Sequence, residues 1–224
     1  MIIVSDAKTE ALRQMLCDTI TTCISGASNS IEIIVVEKQD TSYLNATKVN
    51  HPDGPFNYNK CLNEGARYAK GRYLLFCNND LVFTPGWDEA LVSQMNAHEC
   101  EAGSPWCPMV KEYGKRNAEV GYHPRRLFAG WCFMLTRAAY DRIGGLSEEY
   151  SYWCSDNVVC DQLEEADIKH ILVREAIVVH IGDQTGKTID SEPFLNMTWK
   201  QARKYEKKTG KVLFSKAAYQ KAGI

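Results

Sequence analysis

The residues best suited to chemistry are three short polar ones, Asn78, Asn79 and Asp80, which end an apolar run. The preceding residues, 73–77, have the aromatic and aliphatic composition of a buried strand. In an open α/β sheet, ligands bind beyond the carboxyl ends of the strands. Hard divalent cations prefer oxygen ligands, so Asp80 at such an edge is suited to hold one. The competing interpretation is a polar turn, since Asn and Asp are ordinary turn residues.

Glu37 and Lys60 occupy comparable positions at the ends of predicted elements. Glu37 follows the β-branched residues 31–36, where an acid can accept hydrogen bonds from a base or ribose. The alternative for Glu37 is an exposed charge. Lys60 lies in the first turn of a helix that Asn57 or Asn59 can cap. A cation there opposes the helix dipole, which hints that Lys60 binds a phosphate or a base.

Two more candidates lie in the second half of the chain. His180 ends the apolar residues 176–179, and neutral imidazole is a good ligand for metals of the Mn²⁺ class. A single His after a strand is more often structural. Asp156 follows an aromatic run and precedes a predicted helix. It is either the N-cap of that helix or a general base at the mouth of an aromatic pocket.

Composition indicates a soluble globular domain. The chain has 224 residues, of which 45% are hydrophobic and 24% charged, and its net charge is -2. Such a charge gives no general attraction to nucleic acid or to an anionic membrane. From the lengths of its apolar stretches we expect no transmembrane segment and no signal peptide. The nine cysteines lack any C-x-x-C pair, which argues against a zinc site and favours a reducing, cytoplasmic location.

The pattern of apolar residues predicts alternating strands and helices. The predicted strands are residues 2–4, 31–36, 73–77, 127–135, 171–173 and 176–180. The predicted helices are residues 12–23, 59–70, 87–98, 137–143 and 157–166, followed by helix from residue 198 onward. Residues 40–55 and 103–125 are predicted to be irregular. The strand–helix–strand opening implies a parallel βαβ unit.

Taken in order, several short motifs resemble family 2 glycosyltransferases of the GT-A fold. The resemblance covers about residues 1–210, and the joint order of the motifs makes it specific. The motifs are Asn63-Glu64-Gly65, Ala69-Lys70-Gly71-Arg72-Tyr73-Leu74-Leu75-Phe76, Asn78-Asn79-Asp80, Gly144-Gly145-Leu146-Ser147-Glu148, Ser155-Asp156 and Val179-His180. A late helix around residues 204–210 is also similar.

The resemblance implies a single α/β domain of Rossmann-like GT-A fold, with a mostly parallel central sheet flanked by helices. We expect this domain over residues 1–197. Residues 1–100 would form its nucleotide-sugar-binding half and residues 101–197 its acceptor-side half. Residues 198–224 would form a basic helical segment.

The resemblance also implies roles for individual residues. The donor, most simply a UDP-sugar, would contact Ser5, Glu37, Lys60, Asn78, Asn79 and Asp80. Asp80 and His180 would hold a divalent metal, with Mn²⁺ favoured over Mg²⁺. Asp156 would deprotonate the acceptor, and Gly130, Trp131 and Trp153 would form the acceptor-side wall. The chain departs from the family pattern at Asn78 and Asn79, which leave one carboxylate where the family often has two.

The predicted function is metal-dependent transfer of a sugar with inversion. The acceptor would be a glycan, a glycolipid, or a modified DNA base as in phage enzymes. One rival is a nucleotidyltransferase, but the Gly-rich phosphate loop that it normally needs is missing after Val4. The other rival is a non-catalytic module that binds a nucleotide or a sugar.

The last residues, 198–224, carry eight Lys and Arg against one acid, Glu206. Such a run is commonly a solvated helix face. Its functional interpretation is docking to an anionic surface or acceptor, for which Lys204, Lys207, Lys208 and Lys211 are the candidates. The protein would then be peripheral at the inner membrane face, or lie in the host cytoplasm if it came from a phage.

Overall fold

The computed structural model describes residues 1–111, 117–124, 126–182 and 191–221. The strands are β1 Ile2–Ser5, β2 Ile34–Glu37, β3 Thr47–Asn50, β4 Tyr73–Cys77, β5 Leu81–Phe83, β6 Ala102–Trp106, β7 Ala118–Val120, β8 Cys132–Thr136 and β9 His170–His180. The helices are α1 Glu10–Gly26, α2 Tyr58–Tyr68, α3 Trp87–Ala97, α4 Arg137–Arg142, α5 Ser155–Glu165, α6 Ser191–Thr209 and α7 Lys216–Lys221.

The strands form one sheet in the order β3-β2-β1-β4-β8-β6-β9-β5, and β7 also pairs with β9. The first four strands are parallel. Beyond them the sheet is mixed, because β8 runs antiparallel to both β4 and β6, whereas β6 and β9 are parallel. This arrangement confirms the predicted α/β class, but the sheet is mixed rather than mostly parallel. Four of the eight pairings among the described strands are antiparallel, namely β4–β8, β6–β8, β5–β9 and β7–β9.

Alternating side chains of the strands bury two core layers, one on each face of the sheet. Ile3 packs on the face that carries Leu16 of α1 and Leu91 of α3. Ile2 packs on the opposite face, together with Leu62 of α2. Burying a side chain of this size contributes about 1.5–3 kcal/mol, so both layers hold the sheet in place.

Two asparagines fix the start of helix α2, which packs on the second face of the sheet. Asn57 is its N-cap, and the side-chain oxygen accepts a hydrogen bond from the backbone N–H of Lys60 at 3.0 Å. Asn59 is instead buried within the structure and donates to the carbonyls of Ser147 and Ser155 at 2.7 and 3.1 Å. The predicted cap therefore belongs to Asn57, and Asn59 ties α2 to the start of α5.

The predicted turn between residues 173 and 176 is wrong, because β9 runs unbroken through it. The backbone N–H of Arg174 donates to the carbonyl of Asn117 at 2.9 Å. Its guanidinium lies 4.5 Å from the centre of the Trp106 ring. These contacts keep a polar residue inside a strand. The segment 103–125, predicted to be irregular, contains most of β6 and all of β7.

The basic C-terminal segment packs onto the domain through its own ion pairs. Helix α6 begins at Ser191, so the predicted boundary at residue 198 falls inside a helix. Lys204 and Lys208 both pair with Glu149, and Lys211 pairs with Asp161. Three of the four lysines expected to dock on an anionic surface thus have partners within the chain, and that docking stays a prediction.

None of the helices in the described residues is both long enough and apolar enough to cross a bilayer.

Candidate active site

The pairing of β5 with β9 brings Asp80 and His180 together. Leu81 lies opposite His180 in the antiparallel register, and the backbone N–H of Ile181 donates to the carbonyl of Asp80 at 3.0 Å. The Asp80 Oδ1 and His180 Nε2 atoms are then 3.2 Å apart. The two residues that were predicted to share a metal, although 100 positions apart in sequence, are therefore adjacent at one edge of the sheet.

Asp80 has the surroundings of a cation ligand. Its side chain is 5% exposed, and Oδ1 is buried without a hydrogen bond of acceptable geometry to any described residue. A buried carboxylate oxygen without a donor is costly unless a cation satisfies it. Among the described residues no group of three or more His, Cys, Asp and Glu is placed to hold a metal.

Asn78 connects this pair to the rest of the site. Its side-chain oxygen accepts a hydrogen bond from the Tyr58 hydroxyl at 2.7 Å, and its side-chain nitrogen lies 3.4 Å from Nε2 of His180. Its backbone N–H donates to the carbonyl of Trp131 at 2.9 Å. The Trp131 ring in turn stacks on the His180 imidazole, with ring centres 5.1 Å apart. Burial raises the pKa of Tyr58 well above its ordinary value, which keeps it a hydrogen-bond donor.

Asn79 fastens the same loop to the first layer of the fold. Its side-chain nitrogen lies 3.5 Å from the Ser5 hydroxyl at the end of β1. The Thr19 hydroxyl of α1 donates to its carbonyl at 3.0 Å and accepts from the backbone N–H of Leu81. Ser5 and Asn79, both predicted to contact the sugar donor, are therefore buried polar residues close to Asp80.

Glu37 is buried, with 1% of its surface exposed. Its carboxylate accepts hydrogen bonds from the backbone N–H groups of Ala7 and Gln39 at 3.2 and 2.9 Å, and from the Tyr43 hydroxyl at 2.6 Å. Burial, together with this bond, raises the pKa of Tyr43. Glu37 therefore holds the loop after β1, and its contact with a nucleotide stays a prediction.

Lys60 also has a partner within the chain. Its ammonium group donates to the carbonyl of Asp53 at 2.9 Å. This bond draws the side chain toward the loop that precedes α2. Its predicted contact with a phosphate or a base stays a prediction.

A cavity of about 510 Å³ opens between the end of β4 and the start of α5. Five of the predicted site residues line it: Asn78, Gly130, Trp131, Trp153 and Asp156. Tyr152, from the aromatic run that was expected to line a pocket, also lines it, whereas Tyr58 and Phe128 line it and were not predicted. Each belongs to a different segment, and an isolated aromatic residue in a sequence does not indicate whether it will face a cavity or the core.

Asp156 lies in the first turn of α5 and is not its N-cap, so the cap interpretation is wrong. The N-cap is Cys154, in the left-handed conformation with φ of 65°. A non-glycine residue is uncommon there, and such strain concentrates at functional sites. The Asp156 carboxylate accepts a hydrogen bond from the backbone N–H of Asn157 at 2.9 Å. A negative charge in the first turn also suits the helix dipole.

Gly130 allows the cavity wall to lie directly against this carboxylate. A Cβ atom at position 130 would be 2.6 Å from Cβ of Asp156 and 2.9 Å from its Oδ2. Real Cβ atoms do not approach so closely, so glycine is required by contact rather than by a special backbone angle. The sequence predicted Gly130 for the acceptor wall, and its role in placing Asp156 is visible only in the structure.

Comparison with known proteins identifies the family. Residues 2–144 match the family model described as glycosyl transferase family 2. The chain is also 28% identical, over 158 residues, to the O-antigen biosynthesis protein RfbC of Myxococcus xanthus. That match covers 57% of this chain and 12% of the relative, so the chain spans a small part of the relative's length.

Three solved structures share the fold at low sequence identity. GalNAc-T7 with UDP, GalNAc and Mn²⁺ has a TM-score of 0.63 and 13% identity, over 80% of this chain and 42% of that one. The mannosyltransferase PcManGT of Pyrobaculum calidifontis with GDP-Man and Mn²⁺ has a TM-score of 0.59 and 11% identity, over 88% of this chain and 59% of that one. S. aureus TarS residues 1–349 has a TM-score of 0.59 and 10% identity, over 88% of this chain and 61% of that one. The domain therefore has a GT-A-like fold. With the family match over more than half of its length, the chain belongs to glycosyl transferase family 2.

Proposed function

We propose that this chain transfers a sugar from a nucleoside diphosphate sugar to a hydroxyl group of an acceptor, with inversion at the anomeric carbon. One observation carries the proposal. The Asp156 carboxylate shares a cavity with Asn78, and the Asn78 side chain reaches His180 of the Asp80–His180 pair. The candidate base therefore shares a cavity with Asn78, the residue that connects this cavity to the candidate site for the diphosphate.

The donor side is supported by the buried carboxylate of Asp80. Asp80 and His180 would hold a divalent ion, and the imidazole ligand favours Mn²⁺ over Mg²⁺. When bound, such an ion supplies neutralisation of the negative charge that develops on the leaving diphosphate. Similar folds have been solved with UDP or GDP-Man and Mn²⁺, which supports a nucleotide sugar as the donor, and we favour a UDP-sugar.

The acceptor side is supported by the carboxylate of Asp156. It would accept the proton of the attacking hydroxyl, the usual task of a general base. Among the described residues that line the cavity, Asp156 is the sole acid. Retention through a covalent intermediate needs a second carboxylate as nucleophile, so this arrangement favours direct displacement and inversion.

The substitution Asp156→Asn tests the proposal. The amide keeps the size of the side chain and an acceptor for the N–H of Asn157, so we expect the variant to fold. It should bind UDP and Mn²⁺ like the wild type, while UDP release from a UDP-sugar panel falls by about 100-fold or more. The matched control is Asp141→Asn, an exposed acid of α4, which should leave both quantities unchanged.

The products separate this function from its rivals. A glycosyltransferase releases the nucleoside diphosphate, whereas a nucleotidyltransferase acting on a nucleoside triphosphate releases pyrophosphate. A binding module releases neither. Unchanged turnover in Asp156→Asn, or release of pyrophosphate, would contradict the proposed mechanism.

A further inference from the structure

A second cavity, also of about 510 Å³, adjoins the first on the far side of Trp153. It lies between α5, residues 122–124 and residues 211–214 of the C-terminal segment. Trp153 lines both cavities, and the neighbours Asp156 and Asn157 line the first and the second respectively. The two cavities therefore meet beside the predicted base.

The lining of this second cavity combines aromatic side chains with hydroxyl-binding groups. The rings of Trp153 and Phe214 lie within 18° of parallel, with centres 6.3 Å apart. An aromatic face carries a negative quadrupole, which suits the C–H face of a sugar ring. Asn157, Asp161 and Glu164 supply amide and carboxylate oxygens, which accept hydrogen bonds from hydroxyl groups.

The charge of the second cavity selects against an anionic occupant. Its lining includes two acids, Asp161 and Glu164, but one permanent cation, Lys211. The Lys211 ammonium group already pairs with both acids, at 2.5 and 3.5 Å. A phosphate or sulfate group placed there would gain no unpaired lysine from the described lining and would face a net negative charge, whereas neutral hydroxyl groups would not be repelled.

From these contacts we infer that the second cavity binds the neighbouring sugar unit of an uncharged oligosaccharide, whose reactive hydroxyl lies beside Asp156 in the first cavity. The inference rests on the proposed function and narrows its acceptor to a neutral glycan of at least two units. Trp153 would lie between the two units. The volume is within the range of about 300–1,000 Å³ usual for small-molecule sites.

The test uses the full chain, biotinylated and displayed on streptavidin, against an array of neutral oligosaccharides, sulfated oligosaccharides and duplex DNA. Multivalent display raises weak affinities to a measurable level. We expect binding to neutral glycans of two or more units. Asn157→Ala and Glu164→Gln should each reduce that binding by about tenfold, the loss of roughly one hydrogen bond to a hydroxyl. Glu165→Gln, an exposed neighbour outside the cavity, should bind like the wild type.

Binding confined to sulfated glycans or DNA, absence of any binding, or full binding by both cavity variants would overturn the inference. Release of the nucleoside diphosphate from the donor is measured in parallel, both without glycan and with the glycans that bind, so that the sugar has an acceptor. If UDP release is normal but the cavity variants bind as the wild type does, the second subsite is wrong and the proposed function stands. If neutral glycans bind as expected but no nucleoside diphosphate is ever released, the glycosyltransferase function is wrong instead.

Discussion

At the scale of single residues, the buried carboxylate of Asp80 is the group that most needs a cation. Its Oδ1 is buried, lies 3.2 Å from Nε2 of His180 and accepts no well-formed hydrogen bond from the described residues. A charged oxygen in that setting is stabilised by a cation and destabilising without one. The role of this residue can therefore be tested through ligand binding, independently of any acceptor.

We predict that Asp80→Asn folds but no longer responds to a metal with nucleotide. In the wild type, Mn²⁺ and UDP at about a hundred times the dissociation constant should stabilise the protein by about 2.7 kcal/mol. The neutral amide cannot replace the charged ligand, so its melting temperature should stay constant when Mn²⁺ and UDP are added. A thermal shift equal to that of the wild type would remove Asp80 from the metal site.

Gly130→Ala tests the contact that places Asp156. The added Cβ would lie 2.6 Å from Cβ of Asp156, so the carboxylate must move. A displacement of about 1 Å can cost about 100-fold in rate, and we expect a loss of that order in turnover with unchanged UDP binding. In an Asp156→Asn background the same change should add little, because the two changes act through one group. Fully additive losses would show that Gly130 acts elsewhere.

Much of the site could be predicted because its residues end strands. Asp80 and His180 follow apolar runs, and strand ends in one sheet share an edge. Asp156 was ambiguous, since a carboxylate before a helix is commonly a cap. The structure excludes the cap, because the N-cap is Cys154 with a positive φ, which no local pattern indicated; the role as a base stays a prediction. The hydrogen bond between Tyr58 and Asn78 joins two segments that are distant in sequence, and no residue pattern in either segment predicts it.

At the scale of secondary structure, the long periodic helices and the strands with apolar runs were predictable, and three short strands were not. Helices α1, α2 and α3 have buried positions at helical spacing. Strands β3, β5 and β7 have three or four residues each, and none contains four consecutive apolar residues like those that indicated β1 and β2. Their pairing is fixed by neighbouring strands, and β5 in particular brings Asp80 to His180.

The packing of α2 on the sheet depends on Gly65. An added Cβ would lie 2.5 Å from Cγ2 of Ile2 and 2.9 Å from Cγ2 of Val36. Overpacking of this kind costs about 1–3 kcal/mol, which outweighs the gain of up to about 1 kcal/mol in helix propensity. We therefore predict that Gly65→Ala lowers the free energy of unfolding, measured in urea. Arg67→Ala, at a position 77% exposed, should change it by less than about 0.5 kcal/mol. Equal stability for Gly65→Ala and wild type would show that the sheet adjusts freely.

At the scale of the whole molecule, one buried histidine connects the sheet to the cavity wall. Nδ1 of His170 donates to the carbonyl of Gly121 at 2.8 Å, and Nε2 lies 2.8 Å from the Ser104 hydroxyl. That hydroxyl accepts a hydrogen bond from the backbone N–H of Ala129 at 3.1 Å, the residue before Gly130. The sequence assigned His170 no role, but the network spans β6, β9 and the wall beside Asp156.

This network predicts a definite dependence of stability on pH. Burial lowers the pKa of His170 from 6.5 to about 4 in the folded protein. Between these values the unfolded chain binds a proton that the folded one excludes, so stability is complete above pH 6.5 and falls as the pH drops toward 4. At about 1.4 kcal/mol per pH unit, the loss reaches about 3 kcal/mol.

His170→Gln should therefore be less stable than the wild type at pH 7 but should lose less on acidification from pH 6.5 to 4. The control His98→Gln, at an exposed position, should keep the wild-type slope. Urea unfolding at several pH values measures the free energy of unfolding of each protein. Carboxylates whose pKa is also lowered, such as Asp88 and Glu206, contribute to every curve and cancel in the difference between variant and wild type. Their contribution is common to the variants, so a His170→Gln curve parallel to that of the wild type would show that His170 takes up its proton equally in the folded and unfolded states.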